Sequence, residues 1–149
     1  MFRARFPLAM TESILTPERV NEAVAASWRS APNRCLEISP THAVAVHDVD
    51  QTTLRPGALV SGPTLFALAD LVLWHLTFGA IGRIEPMALT SDLSIRFLRP
   101  AQGERAYARA DLEKAGRMMV VGTVRIWMDD DPDRLVATAQ GTYVLPRND

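Results

Sequence analysis

The sequence predicts an α+β domain in which a curved antiparallel sheet wraps one long buried helix, and three observations carry that expectation. The stretch RPGALVSGPTLFALADLVLWHLTFG, Arg55 to Gly79, passes from a Gly- and Pro-studded approach into a run with almost no polar face, the pattern of a helix buried on most sides. Downstream the period changes. Leu89, Ser91, Leu93, Ile95 and Phe97 alternate with Thr90, Asp92, Ser94 and Arg96, the two-residue repeat of a half-buried strand. Further strand-like runs follow at Arg105 to Glu113, Met118 to Met128 and Leu135 to Leu145. Helix first and strands after, without alternation of the two, points to an antiparallel sheet with the helix on one face.

In chain order, Met1 to Met10 is basic and carries only a few apolar residues. It lacks the apolar core and small-residue cleavage site of a secretory signal. Residues 1–15 are read as an N-terminal extension and residues 16–30 as a short helix. Thr16-Pro17-Glu18 supplies a cap, a proline at the first helical position and a first-turn acid. Val20, Ala23, Val24 and Trp28 recur at helical spacing, and Ala31-Pro32-Asn33 ends the helix. Cys35 to Ile38 and Ala43 to His47, joined through Ser39-Pro40-Thr41, pair as a first hairpin. Asp48 to Val60 is a loop. The long helix begins at Ser61 or Gly62, with Pro63 in the first turn where a missing N–H costs nothing, and ends at Gly79 to Pro86. The four later strands are separated by Arg99-Pro100, by Lys114 to Arg117 and by the acidic turn Asp129 to Asp133, so successive strands are expected to be antiparallel neighbours.

Composition narrows the function classes. At 149 residues and 48% apolar content the chain reads as one domain, residues 1–149, with its core between 34 and 146. A net charge of −1 gives no field to draw nucleic acid or an anionic membrane. The single cysteine, Cys35, has no partner for a disulfide or a redox pair and reads as a buried structural thiol. Asp70 and His75 interrupt the apolar run, which reads as core and not as a membrane span. The expected location is cytoplasmic.

Asp70 is the residue that the helix does not explain, because a carboxylate in an apolar run is costly unless something pairs with it. Other chemistries find little support. His42, His47 and His75 match no compact metal-ligand spacing, and no metal or separate cofactor is expected. His75 lies five positions after Asp70, off its helical face, and reads as a packed or hydrogen-bonded interface histidine and not as a catalytic base. No GxSxG elbow or Cys/His pair supports a covalent serine or cysteine mechanism. The acidic turn lacks the spaced ligands of a calcium loop and reads as solvated.

RPGALVSGPTLFALAD followed by ALTSDLSIRFLRPA resembles the hotdog-fold acyl-CoA thioesterases of the phenylacetyl-CoA thioesterase type, whose corresponding stretches read approximately NxxxxxHGGxLFxLAD and xxTxDLxxxFLRPA. The resemblance covers residues 34–146. It implies a hotdog fold, acyl-CoA as substrate with coenzyme A entering only as part of it, and two subunits whose sheets run on continuously, with a homotetramer as a further assembly. It places Asp70 on the helical carboxylate that acts as nucleophile or general base. Gly62 falls on the helix-start glycine whose amide polarises the thioester carbonyl, and Thr90 on the hydroxyl that orients the attacking group. Three positions depart from the pattern: Arg55 replaces the asparagine, Ser61 the histidine and Pro63 the second glycine of His-Gly-Gly.

Chemistry and spacing reach part of this independently. Thioester hydrolysis needs an oxygen nucleophile or activated water, and donors aimed at the developing oxyanion. A helix N-terminus supplies such donors, and a glycine lets a substrate approach them. Gly62 and Asp70 stand eight residues apart, roughly 12 Å along one helix axis, too far to address one carbonyl from the same side. The site therefore calls for Gly62 from one chain and Asp70 from another.

Several roles stay open at this level. Ser61 fits the helix N-cap as well as a substrate contact, with Pro63 beside it. Arg55 suits either an ion pair with Asp70 or a substrate carboxylate or phosphate. Asp70 itself could bridge helix to strand structurally, and Thr90 is an ordinary strand residue. Arg96, Arg99, Lys114 and Arg117 are the candidate cations for the phosphates of coenzyme A. A non-catalytic acyl-CoA or small-ligand binding protein on the same fold is the alternative.

Overall fold

The computed structural model describes residues 15–28 and 33–147. The N-terminal extension up to residue 14 and the helix-ending Ala31-Pro32 lie outside the described residues. Among the described residues, two helices and six strands follow in the order α1 (Pro17–Ser27), β1 (Arg34–Ile38), β2 (His42–Asp48), α2 (Gly62–Ile81), β3 (Leu89–Phe97), β4 (Arg105–Ala115), β5 (Met119–Met128) and β6 (Leu135–Val144), with one 3₁₀ turn at Gln51–Thr53. The strands form one antiparallel sheet in the order β1-β2-β4-β5-β6-β3.

The sheet is built to receive α2 closely. Its inner face carries Ala43 and Ala45 of β2, Ala106, Ala108 and Ala110 of β4, and Ala137 and Ala139 of β6, all in one core with Leu65, Leu68, Val72 and Leu76 of the helix. Small side chains on the sheet let a helix thick with leucine approach. At the centre the approach is closer still. Gly122 and Gly141 are register partners, and a methyl on either would lie within 3.0 Å of a Leu73 methyl. Each fully buried Leu or Phe here stabilises by about 1.5–3 kcal/mol. The helix matches a membrane span in length and apolarity, yet most of it is enclosed by the protein.

Helix α1 begins as the sequence indicates, with Thr16 Oγ1 accepting from the Arg19 N–H at 3.2 Å. Val20 and Val24 pack with Cys35 and Phe78 in a second, smaller core. The Cys35 thiol is buried, and that burial raises it to about 12. Trp28, expected on the buried face, caps the helix and is half exposed.

Two expectations about the later strands are corrected. Strand β3 does not neighbour β4; it pairs with β6 at the sheet edge. Residues 98–104 form a crossover and not a tight turn, tied to the approach of α2 by the Val60 N–H bonding to the Ala101 carbonyl at 2.8 Å. The simple alternation of β3 also fails. A bulge between Thr90 and Asp92 shifts the register, so Thr90 pairs with the buried Tyr143 while Asp92, Ser94 and Arg96 pair with Thr142, Gln140 and Thr138 on the outer face. One extra residue thus turns Thr90 inward and Leu89 outward. The acidic turn is more than solvated surface: Asp129 Oδ1 accepts from the Glu104 and Arg105 N–H groups at 3.0 and 2.9 Å, holding the start of β4.

Candidate active site

Asp70 sits midway along α2 on the stripe that the sheet leaves uncovered, where Pro63, Phe66 and Ala67 are exposed and Trp74 is half-buried. Its carboxylate is held from one side. Thr90 Oγ1 donates to Asp70 Oδ1 at 2.7 Å, and Tyr143 Oη donates to the same oxygen at 2.6 Å. Tyr143 also lies 3.0 Å from the Asp70 carbonyl. Burial and the adjacent carboxylate push the Tyr143 phenol well above its ordinary range, so it remains a proton donor. Two donors on Oδ1 leave Oδ2 as the carboxylate oxygen without a protein partner among the described residues. The sequence reading paired Thr90 with Asp70 but missed Tyr143. Its inward parity on the last strand was legible, whereas its partner across 73 residues was not.

The Asp70 carboxylate opens into a cleft of about 350 Å³ lined by Ala67, Asp70, Leu71 and Trp74 of α2, Trp28 and Asn33 on one side, and Pro86, Ala88 and Tyr143 on the other. The helix is its floor, and the two edges of the wrapped sheet are its walls.

The start of α2 lies in a different cleft, of about 340 Å³, with Arg55, Gly62, Phe97, Arg99 and Pro100 in its wall. The local sequence isolates one donor there. Ser61 is the N-cap, and its Oγ accepts from the Thr64 N–H at 3.3 Å. Pro63 has no N–H, and the Leu65 N–H bonds to the Ser61 carbonyl. Gly62 is left as the first-turn N–H without an acceptor among the described residues, at the positive end of a 20-residue helix. A methyl at Gly62 would lie 3.3 Å from the Phe97 ring.

The predicted residues therefore gather about the two clefts, with Arg96, Lys114 and Arg117 at neither. Asp70 and Thr90 meet directly. Arg55, Gly62 and Arg99 share the second cleft, with Ser61 and Pro63 shaping the helix start. The two clefts have no lining residue in common, as the spacing along the helix requires. Arg55 stands apart from Asp70, and no ion pair joins them. Arg96 lies on the outer face beside Thr138 and Arg125, in a shallow polar depression. Lys114, expected in the turn, is still paired within β4, and Arg117 lies in the β4–β5 turn, which the Leu145 N–H to Met118 carbonyl bond ties to the Tyr143 end of β6.

His75 is no part of either cleft. It is fully buried beside Trp74 and Phe78, its Nδ1 has no hydrogen-bond partner among the described residues, and burial lowers it to about 4. The expectation of a packed histidine holds, but not that of a hydrogen-bonded one. Among the described residues no group of three or more His, Cys, Asp or Glu is placed to hold a metal ion.

Comparison with known proteins agrees with this architecture. No curated protein matches the chain. Among solved structures, a candidate thioesterase from Silicibacter sp. TM1040 aligns at 25% identity with a TM-score of 0.77, over 90% of this chain and 94% of that one. The zebra fish thioesterase superfamily member 2 aligns at 19% identity and a TM-score of 0.75, over 89% of this chain and 100% of that one. The E. coli PaaI protein of the phenylacetic acid degradation operon aligns at 23% identity and a TM-score of 0.65, over 91% of this chain and 92% of that one. Those likenesses establish the hotdog fold. The thioesterase superfamily model matches residues 57–135, a span that runs from the approach to α2 through β5 and includes both Gly62 and Asp70. The chain belongs to the thioesterase superfamily.

Proposed function

We propose that the protein is an acyl-CoA thioesterase whose site is assembled from two copies of the chain, Asp70 from one and the Gly62 amide from the other. The single observation that carries this reading is the separation of the two clefts: a carboxylate with one free oxygen in one, an orphan N–H at a helix start in the other. Neither is a complete hydrolytic site.

The surfaces left open on one copy support pairing. Strand β3 is an edge strand of nine residues, with Leu89, Phe97 and Leu98 exposed. Long apolar edges are normally covered. Joining β3 to β3 of a second copy would cover that edge, continue the sheet, and cover the exposed stripe of α2 as well. A dimer of such dimers is compatible with the same contacts.

In this reading Thr90 and Tyr143 fix Asp70 by Oδ1, and Oδ2 faces the thioester. Acting as general base, Oδ2 takes a proton from water while the water oxygen adds to the thioester carbon. The carbonyl oxygen becomes an oxyanion held by the partner's helix start. Collapse breaks the C–S bond, and the proton on Asp70 passes to the departing thiolate, leaving the free acid and coenzyme A. Acting as nucleophile, the same oxygen adds to the thioester carbon and expels the coenzyme A thiolate, and water then splits the mixed anhydride into the free acid and the Asp70 carboxyl, whose proton passes to the thiolate. Arg55 and Arg99, beside Gly62, would meet the anionic part of coenzyme A.

The test is thiol release from a panel of acyl-CoAs by the wild type and by Asp70→Asn, with dimer mass measured in parallel. Turnover by the wild type, and its loss by 10²-fold or more in a still dimeric variant, is expected. Thermal stabilisation by acyl-CoA without thiol release would instead identify a binding protein in which Ser61 has become purely a helix cap.

A further inference from the structure

The wall of the Asp70 cleft holds a polar group that the reaction does not use. Asn33 is 9% exposed and lines the cleft opposite Tyr143. Its Oδ1 lies 2.6 Å from His47 Nδ1 in a buried contact. An amide oxygen can only accept, so His47 Nδ1 carries the proton and the amide is held in one orientation. That orientation leaves the Asn33 NH₂ group with no acceptor among the described residues. Among the described residues the surroundings are otherwise apolar at this end, with Trp28, Leu71 and Trp74 lining the same cleft. A fixed donor in an apolar cleft loses free energy when a purely hydrocarbon group displaces its water, and regains it when the group supplies an oxygen.

The charge of that oxygen is also constrained. Among the described residues no Lys or Arg lines the cleft, and the Asp70 carboxylate does. A carboxylate on the acyl chain would enter beside a like charge, with no cation among the described lining residues to meet it.

We propose that Asn33, oriented by His47, is a specificity residue that selects acyl groups carrying a neutral hydrogen-bond-accepting oxygen, such as an oxo group, away from the thioester. This rests on the reading of the Asp70 cleft as the acyl site, and the test separates the two. Binding is measured first with non-hydrolysable thioethers, S-(5-oxohexyl)-CoA and S-(4-oxohexyl)-CoA against S-hexyl-CoA, on the wild-type protein. At least one oxo compound is expected to bind about tenfold or more tighter, because a site built around a buried donor rejects the analogue that leaves it unpaired. The kcat/KM values of the matching thioesters should rank in the same order. Asn33→Asp keeps the His47 contact but removes the donor, and should abolish or reverse the oxo preference.

Equal affinity of oxo and plain thioethers for the wild type overturns the inference without any variant. Persistence of the preference in Asn33→Asp overturns it too. Failure of every thioether to bind, with no thioester hydrolysed, overturns the acyl-CoA reading itself.

Discussion

His75 offers a quantitative test of how tightly α2 is enclosed. Its folded-state value of about 4 lies below the ordinary 6.5 because burial penalises the imidazolium, and no partner repays the loss at Nδ1. Between these two values the unfolded chain binds more protons than the folded one. The stability contributed is therefore whole above about pH 6.5 and is lost as pH falls toward 4. At about 1.4 kcal/mol per unit, the loss is on the order of 2 kcal/mol at pH 5 and 3 kcal/mol at pH 4. Carboxylates titrate in the same range, so the comparison must be with His75→Leu, which removes this proton site and leaves the others in place. Urea unfolding followed by tryptophan fluorescence at pH 7 and pH 5 should show the wild type losing about 2 kcal/mol more than the variant, roughly 1 M in midpoint. Parallel pH dependence in the two proteins would refute the reasoning and mean that His75 gains water or a partner on protonation.

The remaining expectations concern the site and the helix seat. Tyr143→Phe and Thr90→Val should each lower kcat about tenfold with little change in KM, and the double variant should lose less than the product, because both donors serve Asp70 Oδ1. Thr90→Ser should restore most of the rate, and full additivity in steady-state kinetics would separate the two roles. Gly79→Ala places a methyl 2.1 Å from the Ser39 carbonyl oxygen, backbone that cannot swing aside, and should destabilise by about 1–3 kcal/mol in thermal or urea unfolding. Gly116→Ala, whose methyl would meet only the Met119 carbonyl at 3.6 Å, should change stability by less than about 0.5 kcal/mol.

What could be read from the sequence was what local pattern encodes. The cap at Ser61, Pro63 in the first turn of α2 and the burial of the helix follow from residue types within a few positions. Asp70 stood out because an acid in an apolar helix demands a partner. The bulge at Thr90 and Asp92 was not legible, since polar residues fill both phases of β3 there and nothing local marks the extra residue. The same bulge decides whether Thr90 faces Asp70 or solvent. Tyr143 was missed because its role depends on β6 lying between β5 and β3, a consequence of the crossover at 98–104. Asn33 and His47 likewise meet only through the register of the first hairpin, since the pairing of Arg34 with Val46 sets them side by side. Arg96 shows the converse error: its charge was visible, but the face it occupies depends on register.

The shared site is tested most directly by subunit complementation. Asp70→Asn removes the acid, and Gly62→Pro removes the helix-start N–H while keeping a residue suited to the first helical position. Each variant alone should be inactive. When the two are co-expressed and the chains mix at random, half of the dimers are mixed, and each mixed dimer holds one intact site from the Asp70 of one chain and the Gly62 of the other. Activity should return to about a quarter of the wild-type value. A mixture as inactive as its parents, with mixed dimers confirmed by mass, would place both groups of each site in one chain and contradict the account.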